Sequence, residues 1–501
     1  MRKPKSSGLL FTIPLSILLS AAAIGCDRDK AGDESALAGP AVRVPVTTVS
    51  QEARDHYLIG RDLLDKLRIP EARRHLEQAV ARDSTFAIAH YDLALSEVTN
   101  RGFLEHLTRA VDLSETASDG ERLMIMALYA GANADPLKQR KLYEELASSY
   151  PLDPRAHFLL GFSQAGQQDF DQAIQSFTRA TELDPEFSPA WNALGYAYRP
   201  LGRYEQAERA FKRYIALIPN EPNPYDSYAE LLLKIGRYDE SIAMYRKALE
   251  ADSHFVPSFV GIAANLMYSG RHADARKEAM RLRGAARDDR ERRTALLTTA
   301  ITWADEGKVG AALDALNERQ QVARRTGDTL AMVEDLELMG ALLVEAGRTN
   351  EAQSRFRQAA ALVEGSSATP EIKADAQLRN RANLARVAIR KRDLARAATL
   401  ADSVLKAAQA GGNPDRIREA HELLGLIDLA QKKAGEATEH LKEADQQDPY
   451  VLYALARAQA LSGDREGARA LFAKVASHND LPTIRYAMVR QAARTAATRS
   501  N

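Results

Sequence analysis

The chain has 501 residues, 45% hydrophobic and only 6% aromatic, with 68 basic and 68 acidic side chains. Zero net charge supplies neither a basic field for nucleic acid nor an acidic one, and a single cysteine excludes an internal disulfide and a thiol metal cluster. Strand signals are scarce while Ala, Leu, Arg and Glu dominate, so the sequence reads as all-helical.

Arg2, Lys3 and Lys5 open the chain, and Gly8 to Gly25 then carries no charge and is rich in Leu, Ile and Ala. This reads as a secretory signal, 1–25, outside the fold. It ends Ala23-Ile24-Gly25-Cys26, which resembles a bacterial lipobox. The resemblance implies that Cys26 is lipidated and becomes the new N-terminus. In enterobacteria Asp27 would also resemble an inner-membrane retention signal. An uncleaved signal anchor is the alternative, since 18 uncharged residues approach the length of a membrane span. Small residues at the end and the sole cysteine directly after them favour lipidation. Cleavage removes three basic groups and no acid, leaving 65 basic against 68 acidic side chains. Residues 26–50 mix Asp, Gly, Ala, Pro and Thr without helical periodicity and read as a flexible tether.

From residue 51 the chain repeats. Units begin near Ala53, Ala87 and Gly120, then at strict steps of 34 from Pro154, Ser188, Pro222 and Val256. The central one reads Trp191, Leu194-Gly195, Tyr198, Ala207, Phe211 and Pro219. Thirty-four residues earlier the slots hold His157, Leu160-Gly161, Gln164, Ala173, Phe177 and Pro185; thirty-four later, Tyr225, Tyr228-Ala229, Leu232, Ser241, Tyr245 and Ser253. This pattern resembles the tetratricopeptide repeat, a 34-residue helix–turn–helix unit. Trp191, Leu194 and Tyr198 share one helix face, and Ala207 shares a face of the next helix with Phe211. Gly195 and Ala207 are small enough for the two helices to close up. Gly202 suits a left-handed turn between them, and Pro219 stops the second. One such unit cannot bury its apolar face, so neighbours must stack.

After Arg283 the spacing lengthens. Further units centre on Thr299-Ala300, Met339-Gly340, Leu384-Ala385, Leu424-Gly425 and Leu455-Ala456, and a closing helix carries Ile484, Met488 and Val489. The expected organisation is a repeat array over 51–283, a second with longer units over 284–480, and a capping helix and tail over 481–501. The resemblance implies an all-α, right-handed superhelical solenoid of about twelve units. The stretch through His421-Glu422-Leu423-Leu424-Gly425 and Gln447-Asp448-Pro449-Tyr450 also resembles repeat domains that occur alone or fused to protein kinases. No phosphate loop or catalytic-loop signature accompanies it.

No His-Glu-x-x-His, nucleophile elbow or Walker loop is present, so neither catalysis nor a bound metal or cofactor is expected. Trp191 and Trp303 fill large repeat slots and read as core rather than as stacking platforms. The resemblance places the first helices of the units on a concave face. The lining residues then lie two before and one, five, eight and nine after the large slot. That offers Phe158, Phe162, Asn192, Tyr196, Arg199, Asp226 and Glu230 as partner-binding candidates, with Arg155, Asn223 and Lys234 beside them. Aromatics flanked by charges suit an extended peptide or a docked helix; packing against neighbouring helices is the other reading. Arg379, Arg386 and Arg390 also fall in such slots, between acidic rows at Glu334, Glu337 and Glu345 and at Glu419 and Glu422. Ion pairs between repeats are expected there, ahead of a grip on anionic lipid. The combined expectation is a scaffold lipid-anchored in the bacterial cell envelope, on the periplasmic side of a membrane, holding a protein or peptide partner and no nucleic acid. A regulatory module binding a small effector is the alternative.

Overall fold

A computed structural model describes residues 43–97, 99–366 and 368–498. The signal over 1–25, Cys26 and most of the tether lie outside the described residues. The first six hairpins are α1 (Gln51–Asp65) with α2 (Ile69–Arg82), α3 (Ala87–Ser96) with α4 (Asn100–Leu113), α5 (Asp119–Ala132) with α6 (Pro136–Ser149), α7 (Pro154–Gly166) with α8 (Phe170–Leu183), α9 (Ser188–Tyr198) with α10 (Tyr204–Leu217), and α11 (Pro222–Lys234) with α12 (Tyr238–Ala251). Then come α13 (Val256–Tyr268) with α14 (His272–Ala285), α15 (Asp289–Asp305) with α16 (Val309–Thr326), α17 (Thr329–Glu345) with α18 (Thr349–Glu364), α19 (Pro370–Lys391) with α20 (Leu394–Gly411), α21 (Pro414–Gln431) with α22 (Ala434–Glu443), and α23 (Pro449–Ser462) with α24 (Arg465–Ala476). A last helix, α25 (Ile484–Thr498), follows. Twelve hairpins and one helix therefore account for the described chain, which is all-α as its composition implied.

The repeat slots explain why each hairpin closes. A Cβ on Gly161 would stand 2.7 Å from the Phe177 ring, and one on Gly60 2.8 Å from Leu76. Gly195 faces Phe211, Gly340 faces Phe356 and Gly425 faces Leu441 in the same way, always sixteen residues on. The small residue of the first helix is thus the seat for the large one of the second. Phe177, Phe211 and Phe356 are all buried in it. The large slot has a polar task as well. His157 Nε2 lies 3.0 Å from the Pro151 carbonyl oxygen, Trp191 Nε1 donates to that of Pro185 at 3.0 Å, and the Tyr225 hydroxyl donates to that of Pro219 at 2.8 Å. Three different side chains share that slot because each carries a donor on a broad apolar body. Between helices the chain turns through a left-handed residue. Gly202 takes φ +68° in the α9–α10 turn, and Gln168 takes the same angle between α7 and α8, where a side chain is less at ease.

The described residues divide into two compact units, 43–228 and Ala229 onward, and the division falls inside α11. In the first unit one buried core runs from Ala53 to Ala210. Neighbouring first helices also touch: α1 on α3, α3 on α5, α7 on α9. The stretch from Val44 belongs to this unit rather than to the tether expected over 26–50. Val44 N donates to Asp153 Oδ2 at 2.8 Å, Thr47 N to Glu121 Oε1 at 2.9 Å and the Thr48 hydroxyl to Asp83 Oδ2 at 2.6 Å. Val44 and Val46 pack on the core. Three carboxylates and two apolar contacts hold these residues as an extended strap.

In the second unit α13 touches α15, α17 touches α19, and α19 and α23 both touch α21. The closing helix does more than cap. Besides α24 it packs on α15, α17 and α23, burying Ile484, Tyr486, Ala487, Val489 and Ala493 in the main core of the unit. Sequence periodicity shows that α25 has an apolar face but not which helices receive it.

Candidate partner-binding surface

In the first unit the sequence candidates lie on successive first helices, α7, α9 and α11. Phe158 is only 2% exposed, with its ring centroid 5.8 Å from Phe177 and 5.6 Å from Phe187. It is therefore a packing residue and not the exposed aromatic its slot suggested. Phe162, one turn on, is half-buried with its ring 6.4 Å from Phe158. Tyr196 is half-buried, packs edge-on to Phe211 at 5.3 Å and holds the Arg199 guanidinium 5.0 Å from its ring centre. Its hydroxyl reaches Ser227 Oγ at 3.5 Å. Asn192, Arg199 and Asp226 are buried, and Asn223 Nδ2 donates to the Tyr214 hydroxyl at 2.7 Å. Glu230, which belongs to the second unit, is 9% exposed. Apolar and polar groups thus alternate along this row, but more deeply set than an open groove would have them.

Next to these residues stands a charged cluster of which the sequence pointed to Arg155 alone. Arg61 Nη1 donates to the Tyr57 hydroxyl at 2.5 Å on α1. Arg155 Nη2 lies 3.6 Å from Asp65 Oδ2, and the Arg155 guanidinium sits 5.4 Å from the Phe187 ring centre. Asp65 is 1% exposed and Asp92 5% exposed. Among the described residues neither Asp65 oxygen has a hydrogen-bond partner, nor does Asp92 Oδ2. Burial lifts the Asp65 carboxyl well above the usual carboxylate range, against the pull of Arg155 and Arg61. Burial lifts Asp92 as well. Counting one, five and nine residues on from His56, the large slot of the first hairpin, gives Tyr57, Arg61 and Asp65. The offsets that found Asn192 and Tyr196 therefore reach this cluster too.

In the second unit the arginine slots are neutralised within the chain. Arg386 Nη2 donates to Glu419 Oε1 at 3.0 Å and to Glu422 Oε2 at 3.3 Å. Arg379 lies 3.7 Å from Glu337, and Arg390 donates to the Glu345 carbonyl at 3.0 Å. Arg416 grips Asp375 with two bonds of 2.9 Å and Glu419 with a third of 2.8 Å. Although burial raises it, Arg386 and Arg416 bring the Glu419 carboxyl down to about 2. Deeper still, Asp335 is held by Arg293 and Arg319. Onto this lattice α25 adds Arg485, 2.5 Å from Glu422, and Arg490, whose Nε and Nη2 donate to the two oxygens of Asp305 at 2.7 and 2.8 Å. Arg490 is 3% exposed and stands over the Tyr268 ring at 5.0 Å. The row that an external segment would fill is filled here by the chain itself.

Among the described residues no three His, Cys, Asp or Glu side chains converge to hold a metal ion, and no helix is long and apolar enough to cross a membrane. Two family models, both described as tetratricopeptide repeat, match the chain, one over 57–101, 163–222 and 382–451 and the other over 223–255. Within these segments lie the seats of Gly60 with Leu76, Gly195 with Phe211 and Gly425 with Leu441, and the left-handed turns at Gly202 and Gln168. Those segments are tetratricopeptide repeats. Solved structures similar to this repeat protein include MamA, 19% identical with TM-score 0.28, covering 33% of this chain and 91% of that one. The APC/C hetero-tetramer Cut9-Hcn1 is 16% identical with TM-score 0.40, covering 84% of this chain and 76% of that one. A tetratricopeptide repeat protein from Parabacteroides merdae is 13% identical with TM-score 0.35, covering 56% of this chain and 98% of that one. No curated protein matches it.

Proposed function

We propose that this repeat protein is a lipid-anchored scaffold of the bacterial cell envelope, periplasmic in orientation, which holds a protein or peptide partner along the first helices of residues 43–228 and carries out no chemistry. The repeat family supports an interaction scaffold. The observation that carries the choice of surface is the Asp65 carboxyl, buried beside Arg155 at 3.6 Å with neither oxygen hydrogen-bonded among the described residues. A buried acceptor without a donor costs about 1–3 kcal/mol. A partner segment whose docking opens the groups covering Asp65 and presents backbone or side-chain N–H groups to it recovers that cost on binding. Phe162, Asn192, Tyr196, Arg199 and Asp226 continue the same row, with Phe158 as its packed support. In the second unit α25 already lies against the equivalent helices, which favours the first as the receiving surface.

Capture of a defined partner, identified by pull-down with the full chain, is expected to fall when Phe162 and Tyr196 are both changed to Ala with helicity intact. Unchanged capture would refute the surface. Anchoring is read separately: Cys26→Ser is expected to move the protein from the membrane to the soluble fraction, and a variant still in the membrane fraction points to an uncleaved anchor.

A further inference from the structure

Six of the ten histidines stand in three pairs, each joining the two helices of one hairpin. His56 of α1 faces His75 of α2, His90 of α3 faces His106 of α4, and His421 of α21 faces His440 of α22. In every pair Nδ1 meets Nδ1, at 3.3, 3.2 and 3.1 Å. His56, His90 and His421 all occupy the large slot, where His157, Trp191 and Tyr225 instead reach a proline carbonyl. The spacing to the partner is 19, 16 and 19 residues, so the second histidine is supplied from different positions of the second helix. One arrangement thus recurs from two different spacings.

Two neutral rings in this contact share a single proton. The same separation is also the edge of a tetrahedral metal site. Zinc–nitrogen bonds of about 2.0–2.1 Å at the tetrahedral angle put the two nitrogens roughly 3.3–3.4 Å apart. Carboxylates stand behind two of the pairs. Glu97 Oε1 lies 3.6 Å from His106 Nε2, and Asp428 Oδ2 lies 3.9 Å from His440 Nε2. At these distances the carboxylates make no hydrogen bond, but their charge favours a proton on Nε2 and so leaves Nδ1 as the ligand, the role outer partners of metal-bound histidines play at closer range. Solvent reaches both sites, since the His106 and His440 side chains are 28% and 34% exposed.

We propose that the three histidine pairs are chelating sites for a divalent transition cation of the zinc class, each held by two Nδ1 atoms with water completing the shell. Two protein ligands are fewer than a structural or catalytic zinc site uses, so these ions exchange readily. Binding moves the shared proton to the Nε2 of its own ring, so a neutral pair takes up the ion without proton release, while acid, by protonating the rings, competes with it. Each bound ion clips the first helix of a hairpin to the second.

The test is calorimetric titration of the full chain with Zn²⁺ in a non-chelating buffer, beside His75→Gln, His106→Gln, His440→Gln and the triple variant. Each single change is expected to remove one saturable equivalent, the triple change three, and Mg²⁺ is expected to give no uptake. Equal uptake by the triple variant and the unsubstituted chain, or no saturable uptake, overturns the proposal. Side-chain ¹⁵N spectra of the unsubstituted chain give a reading free of any folding defect. Zn²⁺ is expected to shift the Nδ1 signals of the six paired histidines, and shifts confined to His157, His254, His272 and His478 overturn it.

Discussion

Gly195 shows how much one hydrogen atom in place of a methyl group decides. Its missing Cβ is the space that the Phe211 ring fills. Gly195→Ala is expected to destabilise the unit by about 1–3 kcal/mol, the usual cost of overpacking a filled core. Adding Phe211→Leu to that variant is expected to recover part of the loss, because a smaller side chain frees the seat. Chemical denaturation of the single and double variants checks both, and additive losses would show that the pair is not coupled. This contact was legible in the sequence because its small and large members recur sixteen residues apart. Asp65 and Asp92 were less legible, since an acid at helical spacing looks like any solvated acid until three helices enclose it.

Helix α25 is the element whose position most changes the reading of the chain. Its apolar face and its two arginines are both spoken for, Arg485 by Glu422 and Arg490 by Asp305. Arg490→Ala leaves the fully buried Asp305 carboxylate without its bidentate partner and with only His272 Nε2, 2.7 Å from Oδ2, beside it. Removing one member of such a pair costs about 3–5 kcal/mol. The expected outcome is selective loosening of α25, seen as faster amide exchange over 484–498 with α1 to α10 unaffected. Uniform protection across the chain would contradict it. The sequence marked this segment as a helix but not its neighbours, because α15 and α17 lie more than 130 residues earlier. Only the folded array brings Asp305 to Arg490. The strap at 44–50 was missed for the same reason. Its Val and Thr residues lack periodicity, and what holds it are side chains at Asp83, Glu121 and Asp153.

At the scale of the molecule, the two units handle charge differently. Residues 43–228 bury carboxyl oxygens without a hydrogen bond, Asp65 beside Arg155 at 3.6 Å, while the unit from Ala229 onward ties its arginines to acids by hydrogen bonds from helix to helix. Glu419 is the test of that lattice. Its carboxyl is held at about 2, below the ordinary 4.5, so the folded state gains from the charged form. That gain is complete above 4.5 and is lost as pH falls through about 2. Glu419→Gln is expected to lower stability at neutral pH and to flatten the acid dependence of unfolding between those values. An unaltered acid limb would show that the lattice is not what holds this unit. The expectation of about twelve hairpins followed from small, large and turn residues, at strict steps from Pro154 to Val256 and at longer ones after Arg283. Which rows stay open and which are filled did not, because that depends on contacts between hairpins rather than on the pattern within one.

The scaffold reading is tested most directly by placing a photo-crosslinking amino acid at Tyr196 and, as a control, at the exposed Met280. The partner identified by pull-down is expected to be captured covalently from position 196 and not from position 280. Capture from 280 alone, or none from 196 while the partner still co-purifies, would contradict a partner seated along the first helices of residues 43–228.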